Sequence, residues 1–197
     1  MSAQVNRPLS TQMALSEEPL RQLSDAAYAL IDKELQKYPA DQKQSAVMSA
    51  LRIAQTECGF LTPAIEADIA DYLGMAPIAV HEVASFYTMY NNGLTGRFKI
   101  TICTNLPCAL RNGNQAADYL KAQLGIDYGQ TTADGLFTLK EGECMGACGD
   151  SPVVLVNNHR MCSWMSNDKI DSLLKELREQ AKSAGPAGAK QSQKGAA

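Results

Sequence analysis

The chain has 197 residues, 45% of them hydrophobic, enough to bury one good core or two small ones and too apolar for a fibrous or disordered protein. A net charge of -3, with 18 Lys and Arg scattered rather than striped along one face, supplies no basic field for a phosphate backbone, so nucleic acid is not expected as a partner. The longest apolar runs, such as Pro152 to Val156, fall far below the roughly 20 residues a membrane-spanning helix requires, and no direct membrane span is expected.

The first sixteen residues, MSAQVNRPLSTQMALS, carry neither a charged start followed by an apolar block nor an Arg-rich amphipathic pattern. They read as a flexible N-terminus (1–16) of an unprocessed, cytosolic chain. Four segments between Glu17 and Tyr90 then show helical periodicity. In the first, Leu20 to Tyr38, the residues Leu20, Leu23, Ala27, Leu30, Ile31 and Leu35 recur at helical spacing. The second, Ala46 to Glu57, stops at Cys58-Gly59. The third starts at Thr62-Pro63, a side-chain cap followed by proline at the first helical position, and ends at Gly74. Pro77 opens the fourth, PIAVHEVASFYTMYN, which stops at Asn91-Asn92-Gly93. Residues 17–92 are therefore expected to form a small helical domain.

From Arg97 the pattern changes to short β-rich runs separated by helices. RFKITIC is followed by a helix from about Asn112 to Leu124, then FTLKEGEC, PVVLVNNHRMC and a helix from Asn167 to Gln180. This β-α-β-β-α order suits a small α/β sandwich of the thioredoxin type over residues 97–182. Asn157-Asn158 supplies the hairpin turn, since Asn tolerates positive φ. Residues 183–197 have no apolar anchor and read as a disordered tail. The fold class expected is α+β, an N-terminal helical bundle followed by a thioredoxin-like α/β domain.

Six cysteines in a reducing compartment are poorly explained as disulfides, which raises metal binding or redox chemistry. Cys103 and Cys108 form C-x4-C directly after an expected strand, and Cys144 and Cys148 form C-x3-C after another, with 35 residues between the pairs. Two strand-to-loop exits at one sheet edge bring four thiolates together, and a 2Fe-2S rhomb needs two thiolates on each iron. Gly142, Gly146 and Gly149 are expected to let backbone approach such a cluster and to adopt positive φ, and the helix near Asn112 to turn its positive end toward it. Three other readings stand beside this one: a structural zinc site on the four cysteines, a dithiol redox protein, and buried cysteines without metal. The dithiol reading lacks its C-x-x-C.

CTNLPC, ECMGACGDSPVVLVN and the upstream EVASFYTMYN together resemble the 24 kDa-type 2Fe-2S subunit of respiratory complex I, the NADH-quinone oxidoreductase, from about Leu20 to Leu177. The resemblance implies an electron-transfer protein that holds one 2Fe-2S cluster on Cys103, Cys108, Cys144 and Cys148. It also implies docking against a flavin-bearing, NADH-binding subunit and other hydrophilic-arm subunits, with FMN and NADH bound in the partner. The chain would then lie in the cytoplasm, peripheral to the inner membrane through the complex, and would not be catalytic in isolation. Related subunits of NAD-linked formate dehydrogenases and of hydrogenases share the cysteine motif and stand as the alternative. This chain departs from the simplest family pattern in its extra thiol Cys162 and its Gly, Ala, Lys and Gln-rich tail.

Cys58 and Cys162 have no cysteine nearby in sequence and read as structural, with a reactive role at Cys162 as the alternative. His81 and His159 belong to no metal motif and read as surface or packing residues. Phe86, Tyr87 and Tyr90, at helical spacing, are expected in the core, with a docking surface as the alternative. No activated nucleophile set is present, and Glu17-Glu18 read as solvated.

Overall fold

A computed structural model describes residues 22–183. The expected flexible start (1–16), residues 17–21 of the expected helical domain, including Leu20 of its first helix, and residues 184–197 of the expected tail lie outside this range. Helix α1 (Asp25–Leu35) begins where the Ser24 side chain accepts the Ala27 N–H, and it buries Ala27, Tyr28 and Ile31. Leu30, expected on the same stripe, is exposed, because the buried face is set by Ala27, Tyr28 and Ile31. A 3₁₀ turn (Lys43–Ala46) leads into α2 (Val47–Cys58), which stops at Gly59 with φ of 85°. Helix α3 (Pro63–Leu73) is capped by Thr62, whose side chain accepts the Ile65 N–H, and closes at Gly74 in the left-handed conformation.

Helix α4 (Pro77–Phe86) ends five residues before the expected Asn91, with Tyr87 already extended at φ −88° and ψ 119°. The Asn92 side chain donates to the Ala84 carbonyl, satisfying one of the last carbonyls of the helix. Leaving the helix lets the chain fold back: the Tyr90 hydroxyl donates to the Met48 carbonyl at 2.8 Å, and the Asn91 carbonyl accepts the Leu61 N–H. Tyr90 is therefore core, whereas Phe86 is 76% exposed and Tyr87 is 39% exposed, against the expectation that all three are buried. The four helices enclose one apolar cluster around Ile31, Leu51, Leu61 and Ile69.

The third β-rich run is two strands, so the sheet has four: β1 (Phe98–Cys103), β2 (Phe137–Gly142), β3 (Val154–Val156) and β4 (Arg160–Cys162), in the order β2-β1-β3-β4. Only β1 and β2 run parallel. The Asn157-Asn158 turn between β3 and β4 has φ of 49° and 60°, the paired positive values of a tight hairpin. A one-turn helix α5 (Leu106–Ala109) precedes the crossover helix α6 (Gly113–Leu124), and α7 (Asn167–Ser183), the last described element, reaches three residues beyond the expected Gln180. Ser183 is thus helical rather than the first residue of a tail.

Side chains alternate across a strand, so Phe98, Ile100 and Ile102 face one way and pack with α6 and α7 in a second apolar cluster. Lys99 faces the other way and donates from Nζ to Asn91 Oδ1 at 2.7 Å. With the Asn158 amide donating to the Met89 carbonyl at 2.9 Å, this ties the sheet to the segment that follows α4. No helix among the described residues is long and apolar enough to cross a membrane.

Candidate metal centre

Parallel register places the two cysteine loops side by side. Cys103, the last residue of β1, lies opposite Gly142, the last residue of β2, so both loops leave the sheet at the same edge. A side chain on Gly142 would strike Thr101 Cγ2 at 2.6 Å, which shows how closely the strands approach there. Two side-chain bonds hold the loops together: Thr104 Oγ1 donates to Glu141 Oε1 at 2.7 Å, and the Asn105 amide donates to Glu143 Oε2 at 3.3 Å.

Cys108 sits in α5 and is brought back toward Cys103 by a tight passage into α6. A Cβ on Gly113 would lie 2.7 Å from the Cys108 carbonyl oxygen and 3.1 Å from that of Cys103. Asn112 makes the passage at φ 68°, a conformation that Asn tolerates better than most residues. Cys103 and Cys108 are buried with Val153, and Met145 and Ala147 pack over them. Cys144 is exposed and Cys148 half-buried, with their sulfurs 4.0 Å apart. Gly146, at φ 73°, turns its N–H toward Cys144 Sγ at 3.4 Å. Of the three glycines expected at positive φ, it alone adopts one, because it alone reverses the short loop between the paired cysteines.

Ser151 joins the pairs. Its buried hydroxyl donates to the Cys148 carbonyl at 2.8 Å and stands 3.2 Å from Cys108 Sγ. Burial pushes the Cys103 thiol up, and the neighbouring Cys108 thiol adds to this, against the pull of the Asn105 and Met145 backbone N–H groups. The Cys144 thiol, then partial burial, pushes Cys148 up. The amides acting on these sulfurs belong to the cysteine loops. The start of α6, expected to face the sulfurs, instead packs against the carbonyls of Cys103 and Cys108.

All six cysteines are free thiols. Among the described residues, no three His, Cys, Asp or Glu side chains gather where one ion could be held. The buried pair Cys103 and Cys108 and the outer pair Cys144 and Cys148 share one loop cluster, with Met145 and Ala147 packed against the buried pair. Four paired thiols with backbone amides nearby are a donor set suited to a 2Fe-2S group. Cys58, at the end of α2, and Cys162, on β4, are both pushed up by burial, as for unreactive structural thiols.

The family model of the thioredoxin-like 2Fe-2S ferredoxins matches residues 31–178. The chain belongs to this family. The family's cofactor, a 2Fe-2S cluster, agrees with the four paired thiols. NADH-quinone oxidoreductase subunit 2 of Thermus thermophilus is 35% identical over 148 residues, 75% of this chain and 82% of the relative. An NADH-quinone oxidoreductase subunit of Rickettsia conorii is 37% identical over 150 residues, covering 75% and 89% of the two chains. The fold is also found in a NAD+-reducing NiFe-hydrogenase in the air-oxidised state, with a TM-score of 0.61 at 21% identity; the match covers 76% of this chain and 26% of that one.

Sequence reading of this ferredoxin-family chain singles out the four cysteines and misses what arranges them. Ser151 carries no signal beyond lying three residues after Cys148, and Thr104 and Glu141 none beyond flanking the strand ends. Their roles follow from the parallel β1–β2 pairing.

Proposed function

We propose that this chain is the electron-transfer subunit of an NADH-quinone oxidoreductase, holding one 2Fe-2S cluster on Cys103, Cys108, Cys144 and Cys148 near the FMN of a flavin-bearing, NADH-oxidising partner. The observation that carries the reading is the presentation of two thiol pairs on adjacent loops at the carboxyl ends of parallel β1 and β2. Bound there, the cluster supplies one-electron transfer next to a flavin that receives hydride in pairs of electrons. The protein's own part is ligation and exclusion of water. Cys103 and Cys108 close the buried side, and exposed Cys144 leaves an edge open for transfer to a partner.

Residues 17–92 and 97–182 are proposed as the helical and cluster-bearing domains, the first available for docking through exposed Phe86 and Tyr87. The chain would attach to the membrane only through the other subunits of the hydrophilic arm. Relatives named as NADH-quinone oxidoreductase subunits or as an NADH dehydrogenase flavoprotein, at 35–43% identity, support this over the formate dehydrogenase or hydrogenase alternative, since the hydrogenase likeness at 21% concerns the fold alone.

Iron and acid-labile sulfide analysis of anaerobically purified protein, with electron paramagnetic resonance before and after reduction, tests the assignment. About two irons and two sulfides per chain, with a signal only after reduction, are expected. Cys103→Ser and Cys144→Ser should each lose or cripple that signal. Stoichiometric zinc without the signal would make the chain a four-cysteine zinc scaffold, and co-purification without any flavoprotein would count against the respiratory complex.

A further inference from the structure

Ser151 is 2% exposed, and its single hydroxyl serves two partners that belong to different cysteine pairs. Oγ lies 2.8 Å from the Cys148 carbonyl oxygen and 3.2 Å from Cys108 Sγ. A hydroxyl carries one proton and two acceptor lone pairs. While Cys108 is protonated, both contacts are satisfied: the thiol donates to Oγ, and Ser151 donates to the carbonyl. Deprotonation of Cys108 on ligation removes that thiol donor, and the sulfur becomes an acceptor only. A lone pair of Oγ aimed at a thiolate is repulsive, whereas rotation about the Cβ–Oγ bond turns the hydroxyl proton to the sulfur.

We propose that Ser151 is a positioning residue for electron transfer, donating its hydroxyl proton to Cys108 Sγ in the loaded site and thereby raising the reduction potential. The proposal rests on Cys108 being a ligand. Reduction adds one electron, part of whose charge falls on the ligand sulfurs, and a hydrogen bond to a more negative acceptor is stronger. The bond therefore favours the reduced state. The Cys148 carbonyl competes for the same proton, so the proton is shared between two acceptors and shifts toward sulfur on reduction. It stays on Ser151 throughout, and no covalent bond forms or breaks. Among the described residues, no other side-chain hydroxyl is recorded within hydrogen-bonding distance of the four candidate ligand sulfurs.

The test is a redox titration followed by electron paramagnetic resonance on the anaerobically purified full chain, comparing wild type with Ser151→Ala and Ser151→Thr. In Ser151→Ala the equilibrium for accepting one electron should fall about tenfold, which is about 59 mV toward more negative potential. Ser151→Thr keeps a hydroxyl and should stay near wild type. In deuterated buffer, the reduced wild-type signal should show coupling to an exchangeable deuteron that is absent from Ser151→Ala, a signature that loss of packing alone does not produce. Ser151→Ala with full iron, an unchanged potential and unchanged deuteron coupling overturns the proposal. If Ser151→Ala loads iron poorly, Ser151→Thr and the nearly isosteric Ser151→Val replace it, and equal potentials in that pair overturn the proposal equally. Wild-type protein lacking both iron and the reduced signal would instead defeat the ligand assignment beneath it.

Discussion

Gly113→Ala sets helix propensity against packing at the point where α6 meets the first cysteine pair. In an isolated helix, alanine is favoured over glycine by about 1 kcal/mol. Here the added methyl would lie 2.7 Å from the Cys108 carbonyl oxygen, 2.8 Å from its carbon and 3.1 Å from the Cys103 oxygen, all backbone atoms with no rotamer to yield. Overpacking of this kind costs about 1–3 kcal/mol, so a net loss of up to about 2 kcal/mol is expected once the propensity gain is taken off. For a chain of this size that lowers the unfolding midpoint by up to about 8 °C. Because relief requires moving Cys108 relative to Cys103, iron per chain should fall as well. Thermal unfolding followed by circular dichroism and by bleaching of visible absorption measures both effects. Gly93→Ala is the control: its Cβ meets nothing within 4 Å, and its midpoint should scarcely move. A Gly113→Ala protein with full iron and a midpoint above wild type would show that α6 backs away freely and that the close approach does not hold the cysteines.

Burial, then the charge of Lys140, pulls Lys99 down from its ordinary 10.5 to about 8. The unfolded chain therefore binds more protons between these values, and the folded state gains stability as pH rises through that window. Lys99→Met, which buries no charge, should be favoured over wild type most at pH 7 and least at pH 10; urea midpoints whose difference ignores pH would contradict this. Tyr90→Phe removes the hydroxyl that donates to the Met48 carbonyl at 2.8 Å, and should cost about 1 kcal/mol in urea unfolding. An unchanged midpoint would mean that water takes over that carbonyl. Cys58→Ala and Cys162→Ala should each retain wild-type iron and an unaltered resonance spectrum, and loss of iron from either would add it to the ligands.

The geometry also bears on how a partner engages the site. The outer pair, on the loop that carries Cys144, is the accessible one, while Met145 and Ala147 of the same loop cover the inner pair. A partner subunit that reaches the site would meet residues 144–148 first. Cys103 and Cys108 lie beneath Met145 and Ala147 and are shielded from water.

Features settled by residues close together in the chain could be read directly. Thr62 followed by Pro63 caps α3 because the side-chain oxygen needs only the N–H of Ile65, three residues on, and Gly74 ends that helix because glycine accepts φ of 69° without strain. Asn157-Asn158 turns the hairpin for a similarly local reason. The two cysteine pairs are visible as C-x4-C and C-x3-C because residue type and interval are properties of the sequence itself.

Contacts between distant positions decided the rest. The α4 helix stops at Phe86 because Tyr90 gains a partner in Met48, 42 residues away, which helical periodicity cannot register. That departure leaves Phe86 and Tyr87 at the surface. The two cysteine loops lie side by side because Cys103 pairs in register with Gly142, and Ser151 reaches Cys108 across 43 residues of sequence. Strand register and loop apposition follow from how the second apolar cluster closes on α6 and α7, an energy summed over many residues and carried by none of the four cysteines.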